Sequence, residues 1–274
     1  MASPVVNAWL EAVRVWSGRG APPAAASVGL FRPGGPAAQR PCGPDAAAAL
    51  GAPGALAPYI DHTLLRPDAT EGEIETLAGE ARAHRLGGAC VHPVHVAALV
   101  RALADCDVEP VSVVGFPHGA HLTEIKLLEA RRAADEGARG VDVVAQLGHL
   151  KEGDFEPVLA ELRALVSVLA PVPVRVILET GLLPPRAVVL GAGLAVAAGC
   201  DAVKTSTGFN GPGACLEDVT LLRAVVGNQL GVKASGGIRS AEQARLLIAA
   251  GASRIGASSS LALLELSLPG QVEG

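Results

Sequence analysis

The segment Gly199-Cys-Asp-Ala-Val-Lys-Thr-Ser-Thr-Gly208 contains the pattern that organises most of this chain. A glycine precedes a short apolar run, the run ends at Lys204, and a loop rich in hydroxyl groups and glycine follows. At the mouth of a buried strand an ammonium group loses hydration, which favours its neutral, nucleophilic form. A lysine in that form can make a Schiff base with a carbonyl substrate. The alternative for Lys204 is an ordinary ion pair at a strand end.

From Tyr59 onward this pattern of apolar run, polar end and helical stretch recurs. It predicts strands at 59–61, 88–91, 110–114, 140–144, 174–178, 201–203, 231–233 and 253–255, with clear helical periodicity at 73–84, 124–136, 157–169 and 241–249. Asp68 and Thr70, ahead of Glu73, predict the N-terminal cap of a helix. Strands that alternate with helices predict parallel pairing. Eight such units in about 210 residues indicate an α/β fold, a (β/α)₈ TIM barrel, over residues 58–274. A doubly wound open sheet is the alternative, although no GxGxxG follows the first strand.

Residues 1–57 have a different composition and are predicted to be an N-terminal extension rich in Ala, Pro and Gly. Apolar residues at helical spacing predict a short helix over 5–16, with Trp9 and Trp16 on its apolar face. The remainder is interrupted by Pro-Pro and Pro-Gly pairs, which favour irregular chain. Two alternatives stay open for this segment: partial disorder, or packing on the barrel or on a partner subunit.

Composition excludes several classes of function. The 274 residues are 50% hydrophobic, only 3% aromatic, and carry a formal net charge of −5, which is not the basic character of a nucleic-acid-binding protein. We find no apolar run long enough for a membrane helix and no signal-peptide pattern. Five scattered cysteines without a CxxC pair favour a reducing compartment. The expectation is a cytoplasmic protein that binds no nucleic acid or membrane, and a homodimer is left open.

Three ionisable residues are predicted to meet inside the barrel. In this fold the active site lies at the C-terminal ends of the strands, where Lys204 and Lys233 fall on consecutive strands. Two ammonium groups on adjacent strands disfavour each other's protonated form, so each lysine is expected to have a lowered pKa. Asp142 lies within an apolar strand and needs a partner, which a lysine would provide. A buried structural ion network is the alternative interpretation.

Two glycine-containing loops, Ala234-Ser-Gly-Gly-Ile-Arg239 and Gly256-Ala-Ser-Ser259, follow the seventh and eighth strands. In barrels these loops often hold a phosphate group through backbone amides. Glycine used only for tight turns is the alternative. His62 and His118 are expected to be polar lining, Cys90 a small buried residue near the site, and no residue cluster resembles a metal site.

In order along the chain, several motifs resemble those of the deoxyribose-phosphate aldolases, a family of class I, Schiff-base aldolases with a (β/α)₈ barrel. The motifs are Ile60-Asp-His-Thr-Leu-Leu-Arg-Pro-Asp-Ala-Thr70, Cys90-Val-His-Pro93, Gly115-Phe-Pro-His-Gly-Ala120, Val141-Asp142, Glu179-Thr180, Val203-Lys-Thr-Ser-Thr-Gly-Phe209 and Val232-Lys-Ala-Ser-Gly-Gly-Ile-Arg239. The resemblance covers residues 59–264 and implies cleavage of 2-deoxy-D-ribose 5-phosphate into acetaldehyde and D-glyceraldehyde 3-phosphate. It implies no metal and no organic cofactor.

The resemblance also implies a role for each site residue. Lys204 would be the Schiff-base lysine, Lys233 the group that lowers its pKa, and Asp142 part of a proton relay. Asp61, Thr63 and Cys90 would support the relay and the substrate. The phosphate of this phosphosugar would bind at Thr207, Gly208, Gly236, Gly237, Ser258 and Ser259.

Some positions depart from the family pattern. His92, His118 and Gln146 replace more usual residues, and the extension before Tyr59 is atypical. None of these differences removes a catalytic group. Two alternatives to the aldolase hypothesis remain: a related Schiff-base lyase for another phosphosugar, and a non-catalytic phosphosugar-binding protein with the extension as an interaction arm.

Overall fold

Eight parallel strands form one closed barrel in the computed structural model, which describes residues 4–16, 21–24 and 40–264. The strands are β1 (Ile60–Leu64), β2 (Gly88–Val91), β3 (Glu109–Val114), β4 (Gly140–Val144), β5 (Val174–Ile177), β6 (Ala202–Lys204), β7 (Gly231–Ser235) and β8 (Arg254–Ala257). Each strand pairs with the next in sequence, and β8 returns to β1. The predicted (β/α)₈ barrel is confirmed, and the doubly wound alternative is excluded because the sheet closes on itself.

Helices follow the strands as the sequence periodicity predicts. The helices are α1 (Pro4–Val15), α2 (Pro44–Ala48), α3 (Glu71–Ala83), α4 (Val96–Ala102), α5 (Thr123–Asp135), α6 (Leu147–Glu152), α7 (Phe155–Leu169), α8 (Pro185–Ala198), α9 (Leu216–Val226) and α10 (Ala241–Ala249). A 3₁₀ helix, Ser260–Leu264, follows β8. Across the described residues, no helix combines the length and apolarity needed to cross a membrane.

The N-terminus of α3 shows why local sequence is informative here. The Thr70 hydroxyl accepts a hydrogen bond from the backbone amide of Glu73, and the Glu73 carboxylate accepts one from the amide of Thr70. This is the reciprocal capping box that the spacing of the two residues predicts. The hydrogen bonds from Thr70 keep the pKa of Glu73 below its ordinary value.

The apolar core lies mainly between the barrel wall and the surrounding helices. The larger buried cluster joins outward-facing strand residues to the helices, while a small second cluster contains Leu65, Cys90, Val111 and Val113 with Phe116 packed against it. On β3, Val111 and Val113 belong to the small cluster, while Val114 belongs to the large one. Side chains that alternate between the two faces of a strand have this period of two. Apolar side chains therefore fill only part of the inside of the barrel, which leaves space for polar and charged side chains.

The first helix packs on the outside of the barrel. Helix α1 contacts α8, where the Trp9 side chain is 5% exposed and Val13 is 2% exposed. The Trp9 ring lies against Gly193, where any side chain would collide with it. Because α8 is apolar on nearly every face, it needs a cover on the side away from the barrel. Helix α1 supplies this cover.

Residues 40–57 also attach to the barrel. The Tyr59 hydroxyl donates a hydrogen bond to the carbonyl of Pro41 at 2.9 Å, and the amide of Gly43 donates to the carbonyl of Ile248 at 2.9 Å. Leu50 and Leu56 belong to the main core. Of the two alternatives for the extension, packing on the barrel thus describes 40–57 and α1. Residues 17–20 and 25–39 lie outside the described residues.

Candidate active site

Seven of the eight strands contribute a charged side chain to one network inside the barrel. The three carboxylates lie on β1, β3 and β4 and the four cations on β5 to β8, and every member contacts a side chain of opposite charge. The members are Asp61 (β1), Glu109 (β3), Asp142 (β4), Arg175 (β5), Lys204 (β6), Lys233 (β7) and Arg254 (β8). Strand β2 contributes Cys90 instead, which is fully buried. The charged network occupies space that apolar layers fill in many barrels.

The lysine pair shares one carboxylate. Asp142 Oδ2 lies 2.7 Å from Lys204 Nζ and 2.7 Å from Lys233 Nζ. The register places Lys204 directly opposite Lys233 on the adjacent strand, as the sequence predicts. All three side chains are at most 4% exposed. The structure therefore brings together the three residues to which the sequence assigned the chemistry.

The aspartate between the lysines is held in its charged form. Burial alone would raise the pKa of Asp142, but Lys204, Lys233 and Arg175 outweigh burial and keep that pKa well below its usual range. For Lys233, burial lowers the pKa, while Asp142 and Asp61 raise it more, so its pKa lies above the ordinary value. Like-charge repulsion predicted a lowered pKa for Lys233. This prediction was wrong, because two carboxylates contact the ammonium group and raise its pKa.

Asp61 supports Lys233 from the other side. Its Oδ2 lies 2.5 Å from Lys233 Nζ, and its Oδ1 accepts a hydrogen bond from Arg254 Nε at 2.7 Å. Burial would raise the pKa of Asp61, but Arg254 and Lys233 lower it to about 2. Thr63, two residues along β1, lines the cavity above and donates its hydroxyl to the carbonyl of Asp61 at 3.0 Å. The support expected from Asp61 thus acts on Lys233.

Cys90 lies inside the barrel near the charged network. Its side chain is fully buried among Leu65, Val111 and Val113, and burial raises the pKa of its thiol to about 11. A thiol in this state is neutral at physiological pH and packs as a small apolar group. This environment agrees with the interpretation of Cys90 as a buried residue beside the site.

A cavity of about 630 Å³ opens above Lys204 at the C-terminal ends of the strands. Its lining includes Lys204 together with all six residues predicted to bind phosphate: Thr207, Gly208, Gly236, Gly237, Ser258 and Ser259. Lys204 and the loops predicted to bind phosphate therefore line the same cavity. A phosphorylated substrate bound by these loops would have its other end near the amine.

Glycines let the loops after β6 and β7 approach each other. Gly208, Gly236 and Gly237 have φ values of +83°, +91° and +73°, a region that disfavours other residues. A Cβ on Gly236 would lie 2.9 Å from the Cα of Gly213 and 3.2 Å from the Cα of Gly208. These glycines are required by backbone conformation and close approach, which leaves the neighbouring amides near the cavity.

Glu179 fixes the loop that follows Lys204. This buried residue at the end of β5 has a φ of +48°, unusual for a side chain with a Cβ. Its carboxylate accepts hydrogen bonds from the amide of Thr207 at 3.1 Å, from the Thr207 hydroxyl and from Asn210 Nδ2 at 3.2 Å. Both donors of Thr207 therefore point to Glu179, and its role as a phosphate ligand stays a prediction.

A second buried ion pair supports the end of β4. Lys126 Nζ donates to Glu161 at 2.8 Å and to the carbonyl of Val144 at 2.9 Å, and Gln146 Nε2 donates to the same glutamate at 2.6 Å. Burial lowers the pKa of Lys126 although Glu161 opposes this change. Gln146, one of the departures from the family pattern, thus has a structural partner. The strand pattern in the sequence gives no signal for this pair, because both residues lie on helices.

The histidines have structural contacts. His62 is buried and lies 2.7 Å from a carboxylate oxygen of Glu80, and its ring also borders the cavity. His92 contacts the carbonyl of Leu65 at 3.0 Å and packs edge-on against Phe116. His118 is exposed. In the described part of the chain, no three His, Cys, Asp or Glu side chains are placed to hold a metal ion.

Fold and site together define a (β/α)₈ barrel protein in which a buried lysine borders a cavity at the C-terminal ends of the strands. The family model of the DeoC/LacD aldolases matches residues 55–265. A deoxyribose-phosphate aldolase from Brevibacillus brevis is 47% identical over 206 residues, which cover 75% of this chain and 93% of that protein. This chain therefore belongs to the DeoC/LacD family of aldolases.

Two solved structures are similar over different lengths. One from Coccidioides immitis, described as a candidate deoxyribose-phosphate aldolase, has a TM-score of 0.79 and 32% identity, and covers 96% of this chain and 98% of its own. A tetrameric deoxyribose phosphate aldolase from Aeropyrum pernix has a TM-score of 0.71 and 38% identity, and covers 79% of this chain and 92% of its own. Because the first similarity covers 96% of this chain, it extends over most of residues 1–57.

Proposed function

We propose that this protein is a deoxyribose-phosphate aldolase, which cleaves 2-deoxy-D-ribose 5-phosphate into acetaldehyde and D-glyceraldehyde 3-phosphate through a Schiff base on Lys204. The observation that carries the proposal is the carboxylate of Asp142, which lies between two buried lysines below a glycine-lined cavity. Family membership and the names of the relatives support the substrate. A binding protein has no need for this lysine pair.

The first step is attack by the neutral amine of Lys204 on the C1 aldehyde of the open-chain sugar. Lys204 lines the cavity, whereas Lys233 lies deeper, between Asp142 and Asp61. Because its pKa is raised, Lys233 stays cationic and its charge faces the reacting amine. Loss of water from the carbinolamine then gives the protonated imine, and Asp142 is placed to exchange the protons that this step requires.

Bond cleavage follows from the imine. The C3 hydroxyl loses its proton, the C2–C3 bond breaks, and its electron pair moves into the imine to give an enamine on Lys204. C3 becomes the aldehyde of D-glyceraldehyde 3-phosphate. Protonation of the enamine carbon gives the imine of acetaldehyde, and water releases acetaldehyde and the free lysine. Asp142 contacts Lys204 directly, so it is placed to pass protons beside the reacting carbon atoms.

The phosphate orients the sugar. Backbone amides of the loops at Gly208, Gly236 and Gly237, and the hydroxyls of Ser258 and Ser259, border the same cavity as Lys204. Glycine permits close approach of the amides to the phosphate oxygens. Because the loops hold the phosphate at one position relative to Lys204, the aldehyde at the other end of the sugar is placed at the amine.

Borohydride trapping tests the proposal. Reduction in the presence of 2-deoxy-D-ribose 5-phosphate or acetaldehyde should leave a stable adduct on the peptide that contains Lys204, and Lys204→Met should abolish it. An adduct on Lys233 would overturn the assignment. Trapping with acetaldehyde without cleavage of the deoxysugar phosphate would assign a Schiff-base lyase with another substrate, and absence of any adduct would favour a binding protein.

For its assembly and location we propose a homo-oligomer, a dimer in the simplest case, that works in the cytoplasm. Leu122, Ile125 and Leu128 recur at helical spacing at the start of α5 and are 49–71% exposed, and Val94 beside them is 79% exposed. Such an apolar surface supports self-association. The five cysteines all lie within the described residues and form no disulfide, which supports a reducing compartment. Light scattering tests the oligomer.

A further inference from the structure

Three charged side chains below the lysine pair have no place in the chemistry described so far. Glu109 is the first residue of β3, Arg254 the first of β8, and Arg175 the second of β5, so all three lie toward the N-terminal end of the barrel. The substrate cavity opens at the other end. Arg175 is 5% exposed, and burial of a charged group is costly unless a partner of opposite charge compensates it.

These three residues close a ring of ion pairs with the aspartates and Lys233. Glu109 contacts Arg175 and, at 2.6 Å, Arg254. Arg254 Nε lies 2.7 Å from Asp61, and Arg175 Nη1 lies 3.4 Å from Asp142. Both aspartates contact Lys233. We call these six residues the ion-pair ring: Asp61, Glu109, Asp142, Arg175, Lys233 and Arg254.

The ring is electrically neutral without Lys204. Its three carboxylates balance two arginines and one lysine, so a proton on Lys204 adds one uncompensated positive charge. Arginine cannot release its proton in a protein, and for Arg175 the pKa is raised because Glu109 and Asp142 outweigh the effect of burial. The surplus charge can therefore be relieved only at a lysine, and of the two lysines only Lys204 lines the cavity.

We infer that Glu109, Arg175 and Arg254 are positioning residues that set the pH at which the Lys204 amine becomes available. The two arginines compete with Lys204 and Lys233 for the aspartates and repel their ammonium forms, which favours release of a proton from Lys204. Glu109 offsets part of this effect because it neutralises charge on both arginines. This inference rests on the proposed function, because it concerns the amine that the proposed reaction uses.

Other charged groups lie nearby, and of these Arg40 also interacts electrostatically with Arg254, Asp61 and Glu109. Asp201 accepts a hydrogen bond from the amide of Val174 at 2.8 Å, Arg139 donates to the carbonyl of Val108, and Arg40 lies over the ring of Tyr59. Asp107 lines a second cavity, at the N-terminal end of the barrel, together with Glu109, Arg175 and Arg254. Cys90 faces the lysines as a neutral thiol. Within the described residues, Asp142 and Lys233 are the charged groups in the network that lie next to Lys204.

The test is a pair of substitutions with opposite expected signs. Arg175→Met removes a positive charge, so Lys204 should keep its proton to higher pH and the acid limb of the kcat/KM profile should move up. Glu109→Gln removes a negative charge, so the same limb should move down. Removal of one unit charge from this part of the ring should move the acid limb by roughly half to one pH unit. Arg254→Met should move the limb up by less, because Arg254 contacts Asp61.

Two further variants separate this effect from stability. Arg175→Lys keeps the charge and should return the limb toward its wild-type pH, whereas a packing role alone would give the same profile for the Lys and Met variants. Arg223→Met is the control, because Arg223 is a half-buried arginine that donates to the carbonyls of Gly227, Leu230 and Gly251 and interacts with Cys42, none of which belongs to the ion-pair ring. Arg223→Met should lower stability and leave the profile in place.

A readout without turnover distinguishes this inference from the proposed function. The pH dependence of Lys204 acetylation by acetic anhydride, followed by peptide mass mapping, should shift in the same directions as the limb. If wild-type protein does not cleave the deoxysugar phosphate but the acetylation shifts appear, the proposed function fails and the ring remains. Should Arg175→Met fail to fold, Glu109→Gln and Arg254→Met still carry the test. Shifts of equal sign, or none, overturn the proposal.

Discussion

Replacing Asp142 with asparagine separates the structural and chemical roles of the central carboxylate. In the wild type, three carboxylates face four cationic side chains in the barrel, counting Lys204. The Asp142→Asn variant would have two carboxylates against four cations, with an uncharged amide where the wild-type carboxylate lies 2.7 Å from each lysine. Removing one partner of a buried ion pair costs about 3–5 kcal/mol. We expect this loss of unfolding free energy at pH 7, a large part of a typical total of about 5–15 kcal/mol.

The loss should depend on pH. A lysine without its carboxylate favours the neutral form, so by about pH 10 the variant relieves its surplus charge through release of a proton. The difference in unfolding free energy between wild type and Asp142→Asn should therefore shrink to roughly half its value at pH 7. Urea denaturation followed by circular dichroism at both pH values measures it. The turnover number should fall about 10²- to 10⁴-fold because the proton relay is broken.

A double variant provides the control. Asp142→Asn with Lys233→Met has two carboxylates against three cations, the same surplus as the wild type, and should recover about 2 kcal/mol of the stability that the single variant loses. Activity should not recover with it. If Asp142→Asn is within about 1 kcal/mol of the wild type and shows the same difference at both pH values, the charge argument for this site is wrong.

Three other predictions concern separate parts of the molecule. Ser258→Asp places a negative charge at the predicted phosphate site, so KM for 2-deoxy-D-ribose 5-phosphate should rise at least about tenfold, while steady-state kinetics with unphosphorylated deoxyribose stay nearly unchanged; equal effects on both sugars would place the phosphate elsewhere. The pKa of Asp61 falls from 3.8 to about 2 on folding, so its contribution of about 2 kcal/mol is present above about pH 4 and is lost as the pH falls toward 2. Urea titrations between about pH 5 and 2.5 should show a steeper loss for wild type than for Asp61→Asn, and parallel curves would contradict this. Deleting residues 1–39 uncovers α8, so the barrel should keep its activity but lose roughly 4 kcal/mol and associate in light scattering, whereas a chain that starts at Ala57 also loses Leu50 and Leu56 and should be less stable still. A chain starting at Ala57 that melts with the full-length protein would show that the extension contributes nothing.

Much of the fold follows from local sequence. Short apolar runs, glycines before strands and the cap at Thr70 act within a few residues, and they predict helices such as 241–249 at their observed bounds. Lys204 and Lys233 could be placed together because consecutive parallel strands are neighbours. The sequence also identified Asp142 on β4 as a carboxylate that needs a partner, although its lysine partners lie on the non-adjacent strands β6 and β7.

The charged residues at the other end were missed for a physical reason. Arg175 and Arg254 lie in apolar runs, and only the register shows on which side of the wall each points. Closing the barrel pairs Asp61 on β1 with Gly256 on β8 and so brings Arg254 to Asp61, although the two are far apart in sequence. A period of two offered one signal: Arg175 lies two residues before Ile177, the register partner of Lys204.

Apolar side chains pack outside the barrel wall and the charged network lies inside it, and this separation explains how the fold accommodates so many buried charges. Outward strand residues and the helices form the large apolar cluster, which α1 extends over α8, while the apolar cluster inside is small. Hydrophobic burial outside the wall can therefore stabilise the protein independently of the charged interior. Inside, each carboxylate of the ion-pair ring contacts at least two cations, so the three negative charges of the ring are compensated. Lys204, the one cation of the network outside the neutral ring, lies where the cavity begins.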